Sequence, residues 1–174
     1  GIAAEVYTGV LNSFEGEKDP RCLVVALQAM TRMVNGLDKS FKDSDAERLF
    51  DCTSCYFPIT FQPPSNDPFG ITPQQLVRGL LDCLCCHKSL VPHVLPYMVT
   101  QLEKSTDTSA RAGPPSEGAA ARKQGILCLL QLCAQYSPLI LIQTSTASPD
   151  ALVDLLFDCV TAELKGESIL KNVN

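Results

Sequence analysis

Residues 72–84 read TPQQLVRGLLDCL, a run that contains the start, the buried stripe and the length of one amphipathic helix. Thr72 suits the N-cap and Pro73 the first turn, while Gln75 lies where its side chain can bond back to the cap. Apolar side chains then recur at the helical spacing of three and four residues. The predicted buried stripe consists of Leu76, Leu80, Cys83 and Leu84.

Helical periodicity continues on both sides of this run, and no strand pattern competes with it. A second capping pair, Ser44 and Glu47, predicts another helix start. Pro96 lies inside a predicted helix, which it should kink because it cannot donate a backbone hydrogen bond. Further helices are expected over 4–14, 20–37, 89–102 and 117–136, from 44 and from 148, with a short one over 139–144.

The spacing of the helices favours a repeat architecture. The helices that start at Thr72 and Glu117 are 45 residues apart (117 − 72), within the roughly 40–47 residues of a HEAT or armadillo repeat. A compact helical bundle is the alternative. We therefore expect an all-α fold, a right-handed α-solenoid of HEAT-like helical hairpins, in which residues 1–174 form part of one repeat domain.

Two segments interrupt the helical pattern. Residues 57–71 carry four prolines and a glycine, which oppose a helix, and bulky apolar side chains, which oppose a flexible linker. We expect this segment to be an ordered proline-rich loop that packs on the helices. Residues 105–118 are polar and rich in small side chains, so we expect a mobile loop there.

The composition argues against several classes of protein. The net charge of −5 opposes electrostatic binding of nucleic acid, and no apolar run approaches the roughly 20 residues that cross a bilayer. We therefore expect neither direct nucleic-acid binding nor a membrane contact.

No signal-peptide pattern opens the chain, and a first residue other than Met suggests a trimmed or internal fragment. The nine cysteines cannot all pair with one another, which favours a reducing cytosolic or nuclear setting.

The cysteines also raise the question of a metal centre. Zinc takes four nitrogen or sulfur ligands, and the candidate ligands are Cys52, Cys55, Cys83 and Cys86, with His87 as an additional donor. The opposing interpretation treats these cysteines as small apolar residues within helices. It is favoured because neither cysteine group has the glycine-containing turns of a metal knuckle. We expect no bound metal and no cofactor.

Catalytic chemistry has little support in the sequence. His87 and His93 are the only histidines, and both lie near a predicted turn between helices, where a capping or surface role is the default. No phosphate-binding or zinc-peptidase motif occurs. We expect a protein that is not an enzyme.

One stretch resembles a known family. Residues 55–72 read CYFPITFQPPSNDPFGIT, similar to the CYFPI-x-F-x-PPPNDP-x-GI segment of the methyl-methanesulfonate-sensitivity, nucleotide-excision-repair-linked family of HEAT-repeat proteins. Ser65 stands where that family usually has a third proline. The similarity extends upstream through residues 15–21 and downstream through the next helix and residues 92–102. Beyond Lys104 it is limited to the helical pattern.

The resemblance implies an adapter function. The family provides the large scaffold of the cytosolic iron–sulfur cluster targeting complex, which presents cluster-carrying subunits to apo-proteins such as DNA helicases and polymerases. It is also linked to a transcription and repair factor. The resemblance therefore implies protein partners, a location in the cytoplasm and nucleus, and a place for this chain in the N-terminal HEAT domain. It gives the cysteines no role as ligands.

Two other functions stay open beside the adapter. One is a metal- or cluster-binding module that uses the Cys52/Cys55 and Cys83/Cys86 groups. The other is a solenoid transport adapter, which would be marked by an acidic groove with an ordered ladder of Asn or Trp side chains. The chain contains no Trp.

The proline-rich segment holds the candidate site residues. They either contact a partner or fill space between hairpins, and packing is favoured because large apolar side chains are usually buried. These candidates are Phe57, Ile59, Phe61, Asn66, Asp67 and Phe69.

Overall fold

The computed structural model describes residues 2–37, 40–64, 70–106 and 115–137, with a few positions between 150 and 161. Every regular element in these ranges is a helix, as the periodicity predicts. None of the helices described there is long and apolar enough to cross a membrane. The α-helices are α1 (Ile2–Phe14), α2 (Pro20–Leu37), α3 (Asp43–Ser54), α4 (Pro73–Leu84), α5 (Val91–Thr106) and α6 (Pro115–Gln135).

The chain divides into two compact units, Gly1–Val94 and Leu95–Asn174. In the first unit, α2 packs against both α1 and α4. Helix α3 contacts α1, α4 and a short 3-10 helix, Lys88–Leu90, that precedes α5. Helices α2 and α3 therefore each contact both α1 and α4.

Helix α2 places an apolar stripe in the core. Its buried side chains are Leu23, Val24, Leu27, Met30 and Val34. Full burial of a side chain of this size stabilises a fold by about 1.5–3 kcal/mol relative to exposure. Gly79 of α4 faces this stripe, because a Cβ atom built at Gly79 would lie 3.5 Å from the Cβ of Leu27.

Two tyrosine hydroxyls fix α1 in the first unit. Tyr7 donates to the backbone carbonyl of Asp45 at 2.8 Å, and Tyr56 donates to the carbonyl of Phe14 at 3.1 Å. The ring of Tyr7 also meets the ring of Phe41 edge-on at 5.8 Å. These bonds tie α1 to α3 and to the turn that follows α3.

The predicted cap of α4 is confirmed. The backbone N–H of Gln75 donates to the Thr72 hydroxyl at 3.2 Å, and the Thr72 backbone N–H donates to the Gln75 side-chain oxygen at 2.8 Å. Pro73 occupies the first turn, as the sequence predicts.

The predicted cap of α3 is wrong. The N-cap is Lys42, whose backbone N–H donates to the Asp45 carboxylate at 3.1 Å. Ser44 and Glu47 therefore lie two positions too far along the helix to form the expected pair. The Asp45 carboxylate is a strong acceptor, and the macrodipole favours it near the helix N-terminus.

The second unit contains Leu95 onward in α5 and all of α6. Pro96 stays inside α5, and the Thr100 hydroxyl donates to its carbonyl at 2.9 Å. The guanidinium of Arg122 donates to the carbonyl of Ser105 at 2.9 Å, which joins α6 to the end of α5.

Several predictions fall partly or wholly outside the described residues. Helix α5 continues to Thr106 and α6 begins at Pro115, so the ends of the predicted 105–118 loop are helical. Residues 107–114, 139–144 and most of the helix expected from 148 are not described. The single repeat domain over 1–174 stays a prediction.

Two glycines that are buried in the described part of the chain should respond oppositely to replacement by alanine. Alanine favours a helix over glycine by about 0.5–1 kcal/mol. At Gly79 the new Cβ would make an ordinary contact with Leu27, so Gly79→Ala should raise the free energy of unfolding by about that amount. At Gly125 the Cβ would lie 3.0 Å from a methyl of the fully buried Leu102. Gly125→Ala should therefore lower the free energy of unfolding by about 1 kcal/mol through overpacking.

Urea unfolding of the two variants beside the parent chain measures both effects. The expected result is a higher midpoint for Gly79→Ala and a lower one for Gly125→Ala. Equal shifts in one direction would contradict the described packing.

Candidate protein-interaction surface

The proline-rich segment is irregular over its described parts, residues 57–64 and 70–71. The Phe57–Pro58 peptide bond is cis. Phe57 and Ile59 are buried, with exposed fractions of 7% and 9%, whereas Phe61 is only half-buried. Burial thus separates the first two apolar candidates from the third. The remaining candidates, Asn66, Asp67 and Phe69, lie outside the described residues.

Phe61 borders an open pocket of about 470 Å³, which we name the Phe61 pocket. Its apolar side comes from the proline-rich segment and its charged side from the turn before α2 and the first turn of α2. The lining residues are Lys18, Asp19, Pro20, Arg21, Phe61, Pro64 and Ile71. Residues 15–21 and 55–72, the two stretches that best resemble the family segment, therefore meet at one surface.

The charged rim is held by local bonds. Glu17 accepts the backbone N–H groups of Lys18 and Asp19, each at 2.8 Å. The Asp19 carboxylate accepts the backbone N–H and the Nε–H of Arg21, both at 2.9 Å, and the two side chains form an ion pair. The side-chain hydrogen bond from Arg21 is the main cause that lowers the pKa of Asp19 to about 2. The Asp19 carboxylate is therefore ionised at neutral pH.

This arrangement suits recognition of another protein. An aromatic ring between prolines gives an apolar contact with little conformational entropy to lose, and charged groups at the edge set orientation. Sequence reasoning found Phe61 and missed the rim formed by Lys18, Asp19 and Arg21. The available signal was the upstream extent of the family resemblance, which includes these residues.

The four candidate cysteine ligands lie at the ends of two helices. Cys52 is half-buried and Cys55 exposed at the end of α3, while Cys83 is buried and Cys86 half-buried at the end of α4. Within the part of the chain that the structure describes, no three His, Cys, Asp or Glu side chains are grouped so that they could hold a metal ion. The metal-module hypothesis gains no support from this placement.

Burial also disfavours the thiolate form of these cysteines. It raises the pKa of the Cys83, Cys52 and Cys55 thiols, and it raises the pKa of Cys86 to about 12. The thiolate is the form that ligates metals and attacks electrophiles. The four thiols are therefore protonated at neutral pH.

The two histidines have structural surroundings. His87 is the N-cap of the 3-10 helix, where its Nδ1 accepts the backbone N–H of Ser89 at 3.2 Å. Its ring meets Phe41 edge-on at 5.0 Å. The ring of His93 stacks with Phe50 at 5.8 Å. The capping role predicted for His87 is confirmed, although the side chain is buried.

Comparison with known proteins places these features in a family context. Residues 1–113 match the sequence model of the MMS19 N-terminal family, described as Dos2-interacting transcription regulator of RNA-Pol-II. Proteins named MMS19 nucleotide excision repair protein homolog are similar to the chain. The Danio rerio protein is 34% identical over 110 residues, which cover 63% of this chain and 10% of the relative. The Mus musculus protein is 32% identical over 136 residues, which cover 78% and 12%.

The chain thus spans about a tenth of the length of these curated relatives. A Drosophila melanogaster protein named MMS19 nucleotide excision repair protein is 28% identical over 140 residues. No solved structure matches the chain.

Thiol labelling of the folded chain tests the placement of the cysteines. At neutral pH we expect iodoacetamide to modify the exposed Cys22 and Cys133 first, and to spare Cys83 and Cys85, which are buried. Mass spectrometry of the digested protein reads each site, and denaturant supplies the control in which all of them react. Rapid modification of Cys83 in the folded chain would contradict this placement.

Proposed function

Since the chain belongs to the MMS19 N-terminal family, we propose that it is a protein-binding scaffold segment that serves DNA repair and transcription. The names of the relatives refer to nucleotide excision repair, and the family description refers to transcription by RNA polymerase II. We extend these descriptions to this chain as its cellular context. The surface that carries the proposal is the Phe61 pocket.

The proposed architecture is a right-handed α-solenoid of HEAT-like hairpins. In a solenoid, each helix contacts its own hairpin partner and the equivalent helix of the next repeat. The packing of α2 against both α1 and α4 supports this arrangement. The pairs α1/α2 and α3/α4 would be consecutive repeats, with the proline-rich segment inside the second.

The proposed task is that of an adapter in cytosolic iron–sulfur protein assembly. The segment 55–72 supports it through its resemblance to the scaffold of the targeting complex. The proposed partners are the subunits of that complex, apo iron–sulfur helicases and polymerases, and the transcription and repair factor. The scaffold acts by binding, without an enzymatic step or cofactor of its own, in the cytoplasm and nucleus.

The exposure of Phe61 is the observation that carries the proposal. Phe57 and Ile59 are buried as packing residues would be, while Phe61 presents part of its ring to the pocket. A partially exposed aromatic ring beside fixed charges is a typical energetic centre of a protein interface. We therefore assign partner contact to Phe61 and packing to Phe57.

Two phenylalanine variants separate these roles. Phe61→Ala should weaken binding to an apo iron–sulfur helicase about tenfold or more, because truncation of an interface anchor typically costs at least 1–2 kcal/mol. Its melting temperature should stay close to that of the parent chain, since half-exposed positions contribute little to stability. Phe57→Ala is the matched control and should lower the free energy of unfolding by about 3 kcal/mol.

Calorimetric binding and thermal melting of the full chain provide the two readouts. A Phe61→Ala variant that melts far below the parent would make Phe61 a packing residue. Undiminished helicase binding by a folded Phe61→Ala variant would remove the pocket from the proposed interface.

A further inference from the structure

A polar groove lies between α2 and α4, away from the proline-rich segment. It has a volume of about 230 Å³. Helix α2 contributes positions that are three and four residues apart, and α4 contributes positions with the same spacing, so each set forms one helix face. The lining residues are Gln28, Thr31, Arg32, Gln75, Arg78, Gly79 and Asp82. We name it the glutamine–arginine groove.

The floor of the groove is built from the core contact of the two helices. Gly79 has no side chain to fill the groove, and its Cα faces Leu27, which is fully buried. The Thr31 hydroxyl is engaged in a bond to the Leu27 carbonyl at 2.9 Å. The floor is therefore closed, and the Thr31 hydroxyl there is already hydrogen-bonded within α2. The longer side chains at the walls are the ones that can contact a ligand.

The walls carry a positive excess. Arg32 and Arg78 are exposed, and Asp82 is the one carboxylate that lines the groove. Arg78 and Asp82 approach at 3.7 Å as an i, i+4 pair, with side-chain exposures of 85% and 44%. Such an exposed pair contributes little and rearranges readily. Two guanidinium groups against one carboxylate give the groove a local charge opposite in sign to the chain's net −5.

The glutamines add neutral hydrogen-bonding capacity. Gln28 and Gln75 are exposed, and the cap of α4 uses only the side-chain oxygen of Gln75. The nitrogen of that amide group keeps its donors for a ligand. The primary amide of Gln28 offers both a donor and an acceptor, and that of Gln75 offers donors, which together match the backbone of an extended peptide.

We propose that the glutamine–arginine groove binds an extended acidic segment of a partner protein. A guanidinium binds a carboxylate through two parallel hydrogen bonds, so Arg32 and Arg78 select acidic side chains while the glutamines hold the peptide backbone. The groove has a positive local charge, whereas a transport adapter would be marked by an acidic groove.

A folded nucleic acid fits this site less well. Its affinity comes from many phosphate contacts, whereas this groove offers two arginines and a carboxylate beside one of them, on an acidic chain. An acidic peptide needs only a few carboxylates at matching positions. The glutamine–arginine groove would thus be a second binding surface, for an acidic segment of a partner protein, and this inference rests on the scaffold function proposed above.

Fluorescence anisotropy with synthetic peptides tests the groove directly. The probe is a fluorescein-labelled peptide of alternating Glu and Ser, and its counterparts carry Gln or Lys in place of Glu. We expect the Glu peptide alone to bind the full chain, more weakly as salt increases. Equal binding of the Glu and Gln peptides, or equally strong competition by a single-stranded oligonucleotide, would overturn the proposal.

Charge variants identify the residues. Arg32→Glu and Arg78→Glu should each weaken binding of the Glu peptide about tenfold or more, and Asp82→Asn should strengthen it. Lys123→Glu on α6 is the control, because it makes the same charge change at an exposed site that does not line the groove. The proposal fails if both arginine reversals change binding no more than the control does. Melting curves should stay near that of the parent, since all these sites are on the surface.

Binding of the helicase and binding of the Glu peptide, measured on the same folded chain, distinguish the two proposals. If helicase binding through the Phe61 pocket persists while the Glu peptide does not bind, the groove proposal alone is refuted. If neither the helicase nor the peptide binds the folded chain, the scaffold function itself is refuted.

Discussion

The close contact of α2 with α4 at Leu27 and Gly79 supports the rest of the described first unit. A side chain larger than alanine at Gly79, or a larger one at Leu27, would alter how the helix faces meet, because buried side chains are packed almost without voids. The first turn of α2 borders the Phe61 pocket, and its middle borders the glutamine–arginine groove. One buried contact therefore positions both proposed interaction surfaces.

The cysteines show that the role of a residue type depends on where the fold places it. Cys83 lies on the buried stripe of α4 and behaves as a small apolar residue. Desolvation raises the pKa of its thiol, as it does for Cys86. The iron–sulfur context of the proposal thus comes from the sequence around Phe61, while these thiols are explained by packing.

The regular helices were predictable because their signals are local. The cap that joins Thr72 and Gln75 depends only on two residues three positions apart in the sequence, so no tertiary information was needed to predict it. The cap of α3 was mispredicted because two patterns overlap there, and the carboxylate of Asp45 captured the backbone N–H of Lys42. Capping patterns compete when several acceptors occur within one turn.

The surfaces were less predictable because they join distant parts of the chain. Phe57 and Phe61 both lie in the proline-rich segment, and without a periodic element their burial depends on tertiary placement alone. The groove joins Arg32 with Arg78, each of which looks like an ordinary solvent-facing residue on its own helix. Only the packing of α2 on α4 brings the two stripes together.

Hydrogen–deuterium exchange of the full chain with and without an apo iron–sulfur helicase tests the scaffold claim most directly. The account predicts slower exchange at the amides of 59–62 and at the start of α2, which border the Phe61 pocket, with α6 unchanged. Exchange that is unchanged along the whole chain at saturating helicase would contradict the account, and so would protection confined to α6.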